Sequence, residues 1–223
     1  LLASMLDEAK RQPAWYRPGP YWETTTAIAI SEIKRCGIQD FRGSSNLAGS
    51  GYTDCMPLDA RNNYNHGVAR RLARWVAHLY PLNKIYETQI QWTDSYALRS
   101  LHYAQEAVNG EQRVHALLKT YLMPYSLLGG CRAKVRLNGE ECSLQYLNLL
   151  DQPDYGASQI DFRRVRSIFE IGGGFGANVH LLLENYPSIR KIAYLDIPPN
   201  LYIGTEYLRA FYGDAVCDFR ELR

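Results

Sequence analysis

Hydrophobic residues in the first two thirds of the chain recur at helical spacing. The pattern predicts helices over residues 22–36, 66–80, 95–108 and 111–122, the first of them ending at Gly37. Residues 42–65 are rich in Gly, Ser, Asn and Asp and show no period. We expect a long loop there, either a lid that contacts substrate or a disordered segment.

A β-hairpin interrupts this helical region. Residues 133–137 alternate apolar with basic side chains, and a second short run follows at residues 140–144. Asn138-Gly139 lies between the two runs, and both residues tolerate the positive φ of a type I′ turn. Residues 1–157 are therefore predicted to form a mainly helical N-terminal region for substrate binding or oligomerisation, with a hairpin near 133–144.

From residue 158 the pattern changes to alternating strands and helices. It predicts a short helix capped by Ser158 and Asp161, strands over 167–171, 191–197 and 215–219, and helices over 176–185 and from Pro199 to Gly213. This order is typical of an α/β doubly wound parallel sheet of Rossmann-like type. Because such a sheet has more strands and is covered on both faces, we expect residues 158–223 to be its first part and the chain to be a fragment.

A glycine-rich turn connects the first of these strands to its helix. In Gly172-Gly173-Gly174-Phe175-Gly176 the missing side chains let a ligand approach the backbone beside the open N–H groups of a helix N-terminus. Asp196 ends the next strand, twenty positions after Gly176. At this distance an acid accepts hydrogen bonds from ribose hydroxyls in dinucleotide and adenosine sites. The spacing predicts a nucleotide-type cofactor site, although a glycine-rich turn alone can be purely structural.

Two classes of cofactor fit the turn. Gly172-x-Gly174-x-x-Ala177 satisfies the nicotinamide or flavin dinucleotide pattern. Glu170, however, completes the form Glu-x-Gly-x-Gly-x-Gly that methyltransferases use, where a dinucleotide enzyme normally has an apolar residue. Dinucleotide domains also often open the chain, whereas this turn begins at residue 172. We therefore favour S-adenosylmethionine and keep an NAD-dependent sugar-nucleotide enzyme as an alternative.

Residues 168–216 resemble the sugar O-methyltransferases found among bacterial polysaccharide-biosynthesis proteins. The resemblance is carried by "IFEIGGGFGANVHLLLENYPSIRKIAYLDIPPNLYIGTEYLRAFYGDAV". A weaker resemblance extends to the helix at Trp22 and to "GIQDFRG", which contains Phe41 and Arg42. It implies a Rossmann-like methyltransferase that transfers a methyl group from S-adenosylmethionine to a hydroxyl of a sugar, a sugar nucleotide or a glycan intermediate.

The resemblance also implies roles for individual residues. The methionine part of the cofactor would be surrounded by Glu170, Gly172, Gly173, Gly174 and Gly176. Asp196 would bind the ribose, and Ile197 would lie beside the adenine.

No catalytic residue can be assigned from the sequence. Asp54, Asp59 and His66, around the long loop, are the first group to test as a general base. His180, inside the helix after the glycine turn, is expected to be structural.

Composition and charge restrict the classes of function and partner that remain. A formal charge of +2 with scattered basic residues does not indicate nucleic-acid binding, and no apolar run is long enough to span a membrane. The 5 cysteines form no CxxC pair, which favours a reducing cytoplasm. No metal-ligand spacing is visible, so no metal site is predicted. A noncatalytic methyltransferase-fold module that assembles with a partner remains an alternative.

Overall fold

The computed structural model describes residues 1–13, 17, 19–44, 112–137 and 139–221. Within these residues the chain is mixed α/β, with helices and two small two-stranded sheets. The helices predicted over 66–80 and 95–108, and the loop predicted over 42–65 beyond its first residues, lie outside the described residues. Elements are numbered below in chain order over the described part.

Three helices form the described part of the N-terminal region: α1 (Leu2–Arg11), α2 (Pro20–Asp40) and α3 (Gln112–Thr120). Helix α2 begins with a proline, whose fixed φ suits the first turn. The helical conformation is interrupted at Gly37, with φ 60° and ψ −164°, where the sequence predicts the end of this helix. The predictions of α2 and α3 are confirmed, whereas α1 was not predicted.

The predicted hairpin is present. Strands β1 (Lys134–Leu137) and β2 (Glu140–Ser143) pair antiparallel, with Leu137 opposite Glu140, and Gly139 has the positive φ of 89° that the turn requires. Two further helices that were not predicted follow at once, α4 (Leu144–Leu149) and α5 (Asp151–Ala157). The Ser143 side chain ends the strand and caps α4.

The second sheet pairs two parallel strands, β3 (Ser167–Ile171) and β4 (Lys191–Leu195). Helix α6 (Ala177–Asn185) connects them and α7 (Pro198–Tyr212) follows β4. The predicted order of strand, helix, strand and helix is confirmed over these residues. Strand β4 ends before the predicted residue 197, because the Asp196 carboxylate accepts a hydrogen bond from the Ile197 N–H.

The strand predicted over 215–219 is wrong. A 3₁₀ turn occupies Gly213–Ala215, and a turn follows at residues 219–221. The segment folds back onto α7, since Arg209 donates to the Val216 carbonyl at 3.2 Å and to Asp218 at 3.1 Å. Within the described residues the parallel sheet therefore has two strands, and the doubly wound sheet stays a prediction.

The capping predicted for Ser158 and Asp161 is half right. Asp161 caps the 3₁₀ turn Phe162–Arg164 by accepting from the Arg163 N–H at 3.2 Å. Ser158 instead ends α5, where its N–H bonds the Asp154 carbonyl at 3.2 Å. Its role is that of a C-terminal residue of the preceding helix.

One hydrophobic core joins both halves of the described chain. It contains Phe41 and Leu147 from the N-terminal region together with Phe175, Leu181 and Ile203 from the α/β region. Helix α7 also packs against α1 and α2. The domain boundary expected after residue 157 stays a prediction, but the two regions share buried side chains.

The two faces of the parallel sheet differ in exposure. Glu170 contacts α6 through Asn178, and the Tyr194 ring lies against Gly204 of α7, so these residues mark the covered face. On the opposite face Phe169, Ile171 and Leu195 are 63%, 72% and 49% exposed. Strands of parallel sheets normally have apolar side chains on both faces, because both faces are usually covered. The exposed face of this sheet has apolar side chains of that kind.

Candidate cofactor-binding site

The glycine-rich turn lies between β3 and α6, at the carboxyl end of the parallel strands. Gly172, Gly174 and Gly176 have φ values of 74°, 63° and 87°, a region that side chains disfavour. A Cβ built on Gly172 or Gly174 would meet no atom within 4 Å. Glycine is required at these two positions by conformation rather than by protein packing, and the backbone there is open to a ligand.

Asp196 binds the turn to the end of β4. Its Oδ2 accepts the Gly174 N–H at 2.8 Å, and its Oδ1 accepts the Ile197 N–H at 2.7 Å and the Asn200 amide at 3.2 Å. Burial raises the pKa of this carboxyl although the three donors oppose the shift. Since a carboxylate has roughly four acceptor positions, Asp196 retains capacity for a further donor.

Tyr194 holds the same glycine from the other side. Its hydroxyl donates to the Gly174 carbonyl, and its ring packs against Gly173, where a Cβ would clash with it. Tyr194 lies in β4 and Asp196 directly follows its last residue, and both side chains reach Gly174. Both backbone polar groups of Gly174 are thus bound by side chains from the neighbouring strand, which fixes the turn before any ligand is present.

Glu170 lies on β3 beneath the turn. Its Oε1 accepts the Asn178 amide at 3.1 Å, while its buried Oε2 has no hydrogen-bond partner among the described residues. Burial, with a smaller contribution from the charge of Asp196, raises the pKa of Glu170. A buried acceptor without a donor costs about 1–3 kcal/mol, so this oxygen is suited to a cation or N–H donor from a ligand.

The structure brings the predicted site residues together at one end of the sheet. Ile197 caps α7, directly after Asp196, and is half-buried. The candidate bases Asp54, Asp59 and His66 lie outside the described residues. The cofactor roles of the predicted residues stay predictions.

Three polar residues of the site were missed by the sequence analysis: Asn178, Tyr194 and Asn200. Each had a weak signal in its spacing from a predicted residue. Asn200 is four positions after Asp196, one helical turn into α7, and Asn178 lies in the first turn of α6. Tyr194 shares the alternation of β4 with Asp196.

His180 lies in the core rather than at the site. It is 3% exposed, and its Nδ1 is 2.7 Å from the Tyr146 hydroxyl. Burial lowers the pKa of His180 to about 4 despite Glu184 nearby, which keeps the ring neutral at neutral pH.

Within the described ranges no group of three or more His, Cys, Asp or Glu side chains could hold a metal ion. None of the helices in those same ranges is long and apolar enough to cross a membrane. No family model, curated protein or solved structure matches this chain.

Proposed function

We propose that the protein is an S-adenosylmethionine-dependent O-methyltransferase that acts on a sugar hydroxyl. The observation that carries the proposal is the pair of carboxylates beside the open glycine turn. Glu170 has a buried oxygen without a donor among the described residues, and Asp196 has a remaining acceptor position. These groups suit a cofactor that has ammonium and sulfonium groups at one end and ribose hydroxyls at the other.

Charge separates this cofactor from a nicotinamide dinucleotide. A pyrophosphate would bring negative charge toward Glu170 and Asp196, whose pKa values are already raised by burial. The ammonium and sulfonium groups of S-adenosylmethionine would instead offset that charge. The turn offers the backbone N–H groups that a phosphate needs, but the acid beneath it favours the cationic ligand.

The described residues are assigned the role of positioning the cofactor. When bound, the cofactor supplies an electrophilic methyl group. Glu170 and the glycine turn would hold its amino-acid end, and Asp196 its ribose. The acceptor hydroxyl must be held in line and lose its proton, for which Asp54, Asp59 and His66 remain candidates.

The proposal includes a Rossmann-like methyltransferase fold and a sugar as the methyl acceptor. The order β3, α6, β4, α7 is what the first part of a Rossmann-like methyltransferase domain requires. The sugar acceptor is supported by the sequence resemblance over residues 168–216. Free thiols at Cys36, Cys142 and Cys217 suit a reducing compartment such as the cytoplasm.

A noncatalytic assembly module is the second candidate, and the open face of the parallel sheet favours it. Phe169, Ile171 and Leu195 form an exposed apolar surface that a partner could cover. This candidate predicts a stable complex and no affinity for the cofactor.

Calorimetric titration with S-adenosylhomocysteine tests the proposal. The wild-type protein should bind it, and Asp196→Ala should weaken binding about 100-fold, because the ribose acceptor and the bond to the Gly174 N–H are both lost. Asp214→Ala removes an exposed acid after α7 and should leave affinity unchanged. Absence of binding by the wild type would refute the proposal, and tighter binding of NAD would support the dinucleotide alternative.

A further inference from the structure

The glycine turn contains a single side chain, that of Phe175, and it points into the core. Phe175 is 2% exposed. Its ring makes edge contacts with Phe41 at 5.4 Å and with Tyr207 at 4.9 Å between centroids. Because Gly174 and Gly176 on either side have no side chains, Phe175 is the side chain of the turn itself through which the core can help to fix the conformation of the turn.

Arg42 contacts this ring from the N-terminal region. It is fully buried just after α2, and its guanidinium carbon lies 4.9 Å from the Phe175 ring centroid. Its Nη1 donates to the carbonyls of Ser126 at 3.0 Å and Leu128 at 3.1 Å. The backbone N–H of Arg42 donates to the Gly129 carbonyl at 2.7 Å. Backbone carbonyls thus hold the guanidinium, which lies over the Phe175 ring and also, at 5.9 Å, over the ring of Tyr146.

Burying a guanidinium in the core is energetically unfavourable. Desolvation of a charge costs several kcal/mol, and an apolar side chain of similar volume often gives equal or better stability. An arginine differs from such a side chain in its directional donors and its flat cationic face, which together fix where an aromatic ring can lie. Its presence under the turn therefore indicates a geometric role.

We propose that Arg42 is a positioning residue for the cofactor site. By holding Phe175, it sets the backbone of Gly174 and Gly176 and thereby the affinity of the turn for its ligand. Arg42 does not contact the ligand itself. The inference rests on the proposed function for its affinity readout, and it adds that the N-terminal region is part of the device that shapes the cofactor site.

A double-mutant cycle tests the coupling. Arg42→Met should weaken binding of S-adenosylhomocysteine about 10-fold, although every ligand-facing group is retained. Phe175→Leu should cause a similar loss. If Arg42 acts through Phe175, adding Arg42→Met to the Phe175→Leu variant should change affinity less than 2-fold. Additive losses would overturn the inference.

Two further variants separate positioning from stability. Met5→Ala creates a cavity at a buried α1 residue outside the core cluster that contains Phe175, so it should lower stability and leave affinity unchanged. Arg42→Lys keeps the charge but not the planar guanidinium that faces the Phe175 ring, and should lose about 3-fold in affinity. It also replaces Arg42→Met if the latter does not fold. Unchanged affinity in a folded Arg42 variant would overturn the inference.

Amide hydrogen exchange gives a readout that needs no ligand. The Gly174 N–H is bonded to Asp196 at 2.8 Å and the Gly176 N–H to the Gly173 carbonyl at 3.0 Å. The Arg42 variant should speed exchange at both amides more than Met5→Ala does. Equal rates would overturn the inference, and absence of cofactor binding by the wild type would refute only the proposed function.

Discussion

Two polar clusters lie near the glycine turn, and they differ in how fully their hydrogen bonds are made. The inner cluster, defined as Ser126, Tyr146, His180 and Tyr207, is buried in the core. The outer cluster, defined as Glu170 and Asp196, lies at the carboxyl end of the parallel strands, in contact with the turn or directly beneath it. The inner cluster forms a continuous chain of hydrogen bonds, whereas the outer cluster keeps unused acceptor capacity.

The direction of the inner chain follows from counting protons. Tyr207 donates its hydroxyl proton to Ser126 Oγ at 2.7 Å, so at its 2.6 Å contact with Tyr146 it accepts. Tyr146 has then used its own proton and must accept from His180 Nδ1 at 2.7 Å. The neutral ring of His180 therefore has its proton on Nδ1.

The outer cluster has the opposite character. Burial raises the pKa of both carboxyls, so their charged forms are less stable in the folded protein than in water. One Glu170 oxygen has no donor among the described residues. Buried polar groups are nearly always paired, and an exception calls for an explanation such as a missing ligand. The two clusters therefore differ in residual hydrogen-bonding capacity rather than in polarity alone.

The largest expected effect is a loss of stability in acid from the inner cluster. Burial lowers the pKa of His180 from 6.5 to about 4, so between these values the unfolded chain binds more protons than the folded one. The stabilisation from the neutral ring is complete above pH 6.5 and is lost as the pH falls toward 4. The free energy of unfolding should drop by up to about 3 kcal/mol across this range.

Chemical denaturation at a series of pH values measures this effect in the wild type and in His180→Asn. Asparagine cannot titrate but can donate near the position of Nδ1, so the slope over this range should become shallower. His115→Asn, at an exposed position on α3, is the matched control and should keep the wild-type slope. An unchanged slope in His180→Asn would mean that another group governs the acid transition.

The next effect comes from breaking the inner chain at its centre. Tyr146→Phe leaves the His180 N–H without its acceptor and removes the donor to Tyr207, so the free energy of unfolding should fall by about 2 kcal/mol. Tyr155→Phe makes the same chemical change at a residue that is 74% exposed and should have almost no effect. Equal stabilities of the two variants, measured by urea denaturation, would show that the inner hydrogen bonds contribute little.

The sequence predicted the elements whose signals are local. Strand β3, the helix after Gly176 and the hairpin at Gly139 follow from apolar alternation and from positions that need positive φ. The same local logic placed Glu170 and Asp196 at one site, because parallel strands bring their carboxyl ends to one edge.

Features that depend on distant contacts were not predictable. The inner cluster joins residues 126, 146, 180 and 207, whose spacing indicates only a buried core. The strand predicted over 215–219 failed because Asp218 pairs with Arg209 and Arg220, contacts that propensity does not include. Helix α4 was missed because Leu144 continues the alternation of the hairpin, whereas the Ser143 cap turns the backbone into a helix.

The smallest effect tests the outer cluster, and its two readouts have opposite signs. Glu170→Gln keeps an acceptor for Asn178 but removes the charge. Since burial raises the pKa of Glu170 above 4.5, the charged form is disfavoured on folding, and the variant should be slightly more stable than the wild type at pH 7. Its affinity for S-adenosylmethionine should fall about 10-fold, because the ligand loses its counter-charge.

Glu141→Gln is the matched control because its charge is satisfied within the protein. The Lys134 Nζ lies 2.7 Å from the Glu141 Oε2 and lowers the pKa of Glu141. Removing the charge of Glu141 should therefore give no gain in stability and no change in affinity. Urea denaturation and calorimetric titration of both variants give the two readouts. If Glu170→Gln lowers stability and leaves affinity unchanged, Glu170 is a structural group like those of the inner cluster. The unpaired oxygen would then no longer distinguish a ligand site from the core.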